Sequence, residues 1–294
     1  MASISQSPIL ITGATGNVGR NVVSQLIDAG VRVRALARNP QTANLPEAVE
    51  IVRGDLSEPS TLESSLAGVE TVFLLCRGYS PSTVSALIET LAQHARRIVF
   101  LSSSAIQDER PVQVNPIGKI HLDVESAIRK TGLEWTLLRP GAFAANALNW
   151  WAPQLRAGDV VRWPYANAAW APIHEWDIAS VAVRALTQDG HIGETYLLTG
   201  GEVLTQTEQL HVIGEATGRV LRYEELSPNE ARRQMSAFLP PFVTERLLEI
   251  WAGMVKKPAP VTRTVEEITG APPRTFRQWA GDHAAAFRLA SKDA

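Results

Sequence analysis

Ile9-Leu10-Ile11-Thr12 is a short apolar run, and Gly13-Ala14-Thr15-Gly16-Asn17-Val18-Gly19 follows it at once. Beyond the third glycine, Val18, Val22, Val23, Leu26 and Ile27 recur at helical spacing until Gly30 ends the pattern. Few folds turn a strand into a helix through glycines spaced GxxGxxG. In such a turn Gly13 permits the tight bend, Gly16 lets the backbone approach a pyrophosphate, and Gly19 lets the helix lie close to the strand. The helix start then offers unpaired N–H groups and the positive end of its dipole to that anion. Thr15, Asn17 and Val18, in the same loop, join the three glycines as expected dinucleotide contacts.

The pattern repeats downstream. Strands are expected at Val31–Leu36, Ile51–Val52, Glu70–Leu75, Ile98–Leu101 and Trp135–Arg139, with helices at Ser82–His94 and Pro116–Lys130. Alternating strands and helices predict a doubly wound parallel sheet, an α/β Rossmann domain over residues 1–140. Residues 141–294 read as a smaller, mostly helical region. Within it a helix at Asp177–Gln188 and a strand at Thr195–Leu198, together spanning 177–199, return to complete the sheet. Thr207–Thr217, Pro228–Lys257 with a break at Pro240-Pro241, and Thr275–Leu289 read as the later helices.

The end of the second strand decides between two dinucleotides. A carboxylate there would bind a ribose 2′-hydroxyl and repel a 2′-phosphate. This chain has Ala37-Arg38-Asn39-Pro40, with no acid and one guanidinium able to clamp a phosphate. NADP(H) is therefore the expected cofactor. Asp55 and Leu56, after the third strand, are expected to border the adenine. Leu75 and Cys76, after the fourth, are expected to line the ribose. Cys76 reads as a small packed residue rather than a nucleophile, since its only basic neighbour is Arg77.

Composition excludes several classes. The formal charge is -2, so no basic field exists for nucleic acid or anionic lipid. His94 and Arg96-Arg97 read as a solvated helix end. One cysteine permits no disulfide framework, which fits a reducing cytoplasm. The first residues lack a signal-peptide pattern, and no run approaches the roughly 20 apolar residues of a membrane span. No metal site is expected, and the chain is expected to be a monomer or homodimer.

Four stretches carry a resemblance: ILITGATGNVG, IVFLSSSA at 98–105, TGLEWTLLRPGAFAAN at 131–146 and PIHEWDIA at 172–179. In them the chain resembles the atypical short-chain dehydrogenase/reductases, in the NmrA-like branch of type-2 quinone oxidoreductases, isoflavone-type reductases and NADP-sensing regulators. The resemblance implies that Pro140, Ala142 and Phe143 lie against the nicotinamide. It implies that Phe143 and Asn146 line a substrate pocket, that Ser102, Ser103 and Ser104 end their strand beside the cofactor, and that 141–294 form a substrate and lid region, with a helical lid after about residue 200.

One departure matters. The wider superfamily carries a Tyr-xxx-Lys pair on the helix after the fifth strand, whereas Asn115–Glu125 holds no tyrosine. Registered on Glu125, the stretch puts His121 at the lysine position and Ile117 at the tyrosine position. Registered on the lysine, it gives Asn115 and Lys119. Ser103, His121 and Asn115 are thus the candidate catalytic groups, as hydrogen-bond donors or orienting groups at a developing oxyanion.

Five tryptophans, Trp150, Trp151, Trp163, Trp170 and Trp176, fall in one short stretch. Trp150 and Trp151 are expected at the pocket, where aromatic walls suit a flat polycyclic aromatic substrate. The expected activity is NADPH-dependent reduction of a ketone or quinone, similar to angucyclinone-type ketoreductases of antibiotic-forming polyketide pathways. A non-enzymatic NADP sensor, or a reductase of C=C or benzylic ether bonds, are the alternatives.

Overall fold

Strand β1 (Ile9–Thr12) runs through the glycine turn into helix α1 (Asn17–Asp28), then β2 (Val33–Ala37), β3 (Glu50–Arg53) and the short α2 (Glu63–Leu66). β4 (Thr71–Leu74), α3 (Pro81–His94), β5 (Arg97–Leu101), α4 (Pro116–Arg129) and β6 (Glu134–Pro140) follow. These elements are from a computed structural model that describes residues 7–76, 78–109, 113 and 115–289. Arg77 therefore lies outside the described residues.

After Gly141 the chain enters a second unit with α5 (Asn146–Trp150), α6 (Ala152–Ala157), β7 (Val160–Pro164) and β8 (Ala169–Trp170). It returns to the first unit for α7 (Glu175–Thr187) and β9 (Glu194–Leu198). β10 (Leu204–Thr205), α8 (Gln206–Thr217), β11 (Arg222–Leu226), α9 (Pro228–Met235) and α10 (Pro241–Lys256) belong to the second unit. Helix α11 (Thr264–Thr269) packs on α7 and β9 in the first, and α12 (Phe276–Asp282) closes the second.

In the first unit seven parallel strands stand in the order β3-β2-β1-β4-β5-β6-β9. The order reverses between β1 and β4, and such a switch opens a crevice at the carboxyl ends of those strands. Strand residues alternate between two apolar layers. Ile98 and Phe100 meet Leu87, Leu91 and Val124 of α3 and α4, while Val99 between them is equally buried and points the other way. Helix α7 packs against α1 and beneath β4, β5 and β6.

Arg97 corrects the solvated-end reading. It is buried at the start of β5, paired with Glu134 at 3.0 Å and Asp189 at 3.1 Å, and it donates to the Gln188 carbonyl at 2.9 Å. His94 and Arg96 do stand in solvent.

A second buried charge sits nearer the carboxyl edge. Arg139 of β6 donates from Nε to Glu125 Oε1 (2.9 Å) and from Nη2 to Oε2 (2.6 Å). Its other edge holds Asp108 at 2.5 and 3.0 Å. Ser102 donates its hydroxyl to Glu125 Oε1 at 2.5 Å. One fully buried carboxylate on α4 thus ties the ends of β5 and β6 and, through Arg139, the loop carrying Asp108. The guanidinium holds the Asp108 carboxyl below the usual carboxylate range.

The second unit contains more than helices. β7 pairs in parallel with β11, and β8 pairs antiparallel with β10. These strands are too short for their alternation to stand out in sequence, although Val161 and Trp163 of β7 both face the core. Capping boxes at Thr205/Glu208, Ser227/Glu230 and Thr275/Gln278 start α8, α9 and α12. The expected Thr275–Leu289 helix ends early: His283 Nδ1 binds the Trp279 carbonyl at 2.9 Å, and residues 284–287 tighten into a 3₁₀ turn that buries Phe287. Arg219 fastens this end. It donates to the carbonyls of Leu155, Gly158 and Phe287 at 2.6–2.9 Å and pairs with Asp159.

Removing Glu125 strands the buried Arg139 guanidinium with one exposed partner, Asp108. Glu125→Ala is expected to cost about 3 kcal/mol in urea unfolding. The double variant Glu125→Leu/Arg139→Met is expected to regain more than half of that, because it leaves no buried charge unpaired.

Candidate active site

The glycine turn has the geometry its spacing implied. Gly13 has a φ of +65°, a left-handed conformation that side-chain-bearing residues avoid. The Gly16 N–H donates to the Gly13 carbonyl at 2.9 Å. A Cβ on Gly19 would fall 2.1 Å from that same carbonyl oxygen, so α1 touches the turn with nothing between them. Gly16 is the N-cap and supplies no side chain to cap α1. The first-turn N–H groups are therefore left to an outside acceptor. Thr15, Gly16 and Asn17 are exposed there, while Val18 and Gly19 are buried beneath. These features fit a pyrophosphate: a cradle that only glycines can form, at a helix start with no acid in its first turn.

Thr12 fixes the crevice floor. Its hydroxyl accepts from the Leu75 N–H at 2.7 Å and donates to the Leu75 carbonyl at 3.1 Å, joining the ends of β1 and β4. The Leu75 side chain lies against Gly13. Cys76 is buried, and burial pushes its thiol pKa up to about 12. It packs in the apolar cluster of the first unit.

Arg38 and Asp55 end the neighbouring strands β2 and β3. Arg38 is exposed and makes no hydrogen bond or ion pair among the described residues. Asp55 accepts from the Ser57 N–H (2.9 Å) and hydroxyl (2.7 Å). These bonds lower its carboxyl pKa, with a smaller contribution from Arg38. Leu56 is buried beside them.

A second group of residues gathers at the ends of β5 and β6. Ser102 is buried, with its hydroxyl committed to Glu125. Ser103 is half-buried, and its Oγ accepts from the Ala105 N–H at 3.1 Å. Ser104 is exposed, and its N–H donates to the Pro140 carbonyl at 3.1 Å. Helix α4 starts hard against this turn, since a Cβ on Gly118 would come within 2.5 Å of the Ala105 oxygen. Asn115 caps α4: it is buried, and its Oδ1 accepts from the Ile117 N–H at 3.0 Å. Lys119 points to solvent and pairs with Asp123 at 2.7 Å.

His121 is half-buried beside Phe100. Its Nδ1 lies 2.8 Å from the Ile117 carbonyl. A carbonyl only accepts, so Nδ1 carries the proton and neutral His121 presents Nε2 as an acceptor. That nitrogen makes no hydrogen bond among the described residues. The arrangement suits a ribose hydroxyl better than a substrate carbonyl, which needs a donor.

Ala142, Phe143, Asn146, Trp150 and Trp151 belong to the second unit. Phe143 is half-buried and bridges to Ile173, and Asn146 opens α5. Trp151 is enclosed in that unit's core, as are Trp163 and Trp170. Trp150 is half-buried and stacks on Trp163 at 5.9 Å, while Trp251 meets both rings edge-on. Phe238, 50% exposed, extends the stack outward from Trp163.

The buried Ser102–Glu125–Arg139–Asp108 arrangement is absent from the sequence reading. A lone arginine inside the apolar run Thr136-Leu137-Leu138-Arg139 was its visible signal. Among the described residues no group of three or more His, Cys, Asp or Glu is placed to hold a metal, and no helix is long and apolar enough to cross a membrane.

Gly19→Ala is expected to abolish dinucleotide binding and to cost about 2–3 kcal/mol, because the clash is with backbone. Gly132→Ala, where a Cβ meets open space, is the control expected to change neither. Cofactor titration and thermal unfolding read both.

The family described as NAD(P)H-binding matches residues 13–189. The chain is 39% identical over 282 residues to a (4-alkanoyl-5-oxo-2,5-dihydrofuran-3-yl)methyl phosphate reductase of Streptomyces griseus, covering 95% of this chain and 99% of that one. It is 34% identical over 292 residues to an NAD(P)H azoreductase of Xenophilus azovorans, covering 96% and 100%. In fold it is similar to an NADPH-dependent quinone oxidoreductase of Escherichia coli solved with NADPH, at a TM-score of 0.77 and 24% identity, covering 93% and 99%. The chain belongs to the NAD(P)H-binding family and, with these relatives, to the oxidoreductases.

Proposed function

We propose that this chain is an NADPH-dependent reductase of conjugated carbonyl compounds, a ketone or quinone on a flat, polycyclic aromatic frame. The observation that carries the reading is on α4, where Ile117 and His121 stand in place of a tyrosine and lysine and His121 has spent its N–H on the backbone. A reductase so built has no tyrosine on that helix to protonate the product, and Lys119 there is turned to solvent and paired with Asp123. Substrates that spread the arriving negative charge over a π-system need such a donor least. Bound NADPH supplies the hydride.

The chain's residues supply the rest. Gly13, Gly16 and the first turn of α1 would hold the pyrophosphate, Arg38 the 2′-phosphate and His121 Nε2 a ribose hydroxyl. Ser103 and the backbone around Ser104 and Pro140 would border the reacting ring. Within the second unit taken by itself, half-buried Trp150 and exposed Phe238 are the aromatic rings open to a flat ligand.

The relatives' names agree in one respect. An azo bond and the ring double bond of a 5-oxo-2,5-dihydrofuran are both conjugated acceptors. The second name favours a further reading for this chain, reduction of a C=C bond activated by two carbonyls.

One panel tests these readings: loss of NADPH absorbance with menadione, a hydroxyanthraquinone, an azo dye and an alkanoyl butenolide, phosphorylated and not. Turnover of the quinones above the butenolides is expected. Turnover of the butenolide phosphate alone would replace the first reading with the second. No turnover across the panel would leave an NADP-sensing regulator. Arg38→Asp is expected to lower kcat/KM for NADPH relative to NADH by about a hundredfold. An unchanged preference would remove Arg38 from the site.

A further inference from the structure

Tyr165 is the one non-glycine residue in the left-handed region among the described residues, with a φ of +56°. A bulky side chain is disfavoured there, and such strain persists only where the surroundings impose it. The surroundings here do so. Gln206 Nε2 donates to the carbonyls of both Pro164 and Tyr165 at 2.9 Å. The Tyr223 hydroxyl donates to the Pro164 carbonyl at 3.0 Å. The Ala168 N–H returns to the Tyr165 carbonyl at 2.9 Å, and the Gln206 and Thr207 N–H groups bind the carbonyls of Ala168 and Ala166.

This effort aims one phenol. The Tyr165 ring is half-buried against the apolar cluster that holds Trp150, Trp163 and Trp251. Its hydroxyl makes no hydrogen bond among the described residues, although the Arg232 guanidinium is within electrostatic reach. The turn is flanked by buried polar atoms without partners: the indole N–H groups of Trp163 and Trp170 on either side of it, and Oε1 of Gln206, the glutamine that holds its carbonyls. A tight turn alone would need glycine at 165, not a tyrosine held in a glycine conformation.

We propose that Tyr165 is a substrate-binding residue of the second unit, donating its phenol hydrogen bond to an oxygen of a flat aromatic ligand held beside the half-buried ring of Trp150. The inference deepens the reductase reading and rests on it for the ligand class. It adds a specificity determinant that selects oxygenated rings over hydrocarbon ones. Tyr165 acts in binding, so its loss falls on KM rather than on kcat.

The test uses the full chain and menadione as probe, followed by saturable quenching of tryptophan fluorescence without NADPH, and separately by turnover with it. Tyr165→Phe keeps the ring and the strain and removes only the hydroxyl. It is expected to weaken menadione binding and raise KM by about fivefold to tenfold, with kcat and NADPH affinity unchanged. Tyr165→Gly relieves the backbone. It is expected to lose at least as much affinity as Tyr165→Phe, since it removes ring and hydroxyl together. Equal menadione affinity and KM in wild type and Tyr165→Phe, or no saturable binding by wild type, overturns the inference. Turnover with such equality sinks the inference and spares the reductase reading. Tyr165-dependent binding without any turnover does the reverse.

Discussion

The carboxylate of Glu125 is the contact around which the carboxyl edge of the first unit is arranged. It is fully enclosed, and it is satisfied by two nitrogens of Arg139 and the hydroxyl of Ser102. Three elements that share no local sequence thereby acquire one geometry: the end of β5, the end of β6 and the middle of α4. The turn at Ser103–Ala105 and the start of α4 inherit their positions from it, as does the spacing of His121 from that turn. A buried ion pair adds little net stability over an apolar substitute, yet it tolerates few alternative arrangements. The cost is accepted where placement matters, at the edge of the sheet where chemistry is carried out.

Much of the first unit was legible. The strand–glycine–helix start, the alternation that followed and the missing acid after β2 are local patterns, and each reports a local cause. Gly19 could be read as a contact glycine because the fold leaves it no other use, and the 2.1 Å separation that a Cβ would suffer shows why. Arg97 and Arg139 were harder. A charge is read as exposed by default, and only partners 14 to 92 residues away put these two indoors. The second unit was read as helices because β7, β8, β10 and β11 span two to five residues each, too few for a period of two to show.

Residue roles at the site divide the same way. Gly13, Gly16 and Gly19 act through backbone, which spacing encodes. Asn115, Ser102 and His121 carry polar side chains whose atoms are partly committed to a cap, a carboxylate and a carbonyl. Sequence shows that a group is present but not which of its atoms remain free. Tyr165 was invisible for a related reason: nothing in Trp-Pro-Tyr-Ala-Asn announces a positive φ, which arises from Gln206 and Tyr223 far along the chain.

Arg219 has a consequence for how the second unit can be altered. One guanidinium spans carbonyls at Leu155, Gly158 and Phe287, so the last turn is stitched to a helix more than sixty positions upstream of that arginine. Phe287 returns the favour by filling the space beside Trp279. A chain trimmed ahead of this phenylalanine would lose an acceptor and a ring together, leaving Arg219 Nη1 without its carbonyl beside an opened core. The final segment is thus a closure on the aromatic unit and not a dispensable tail.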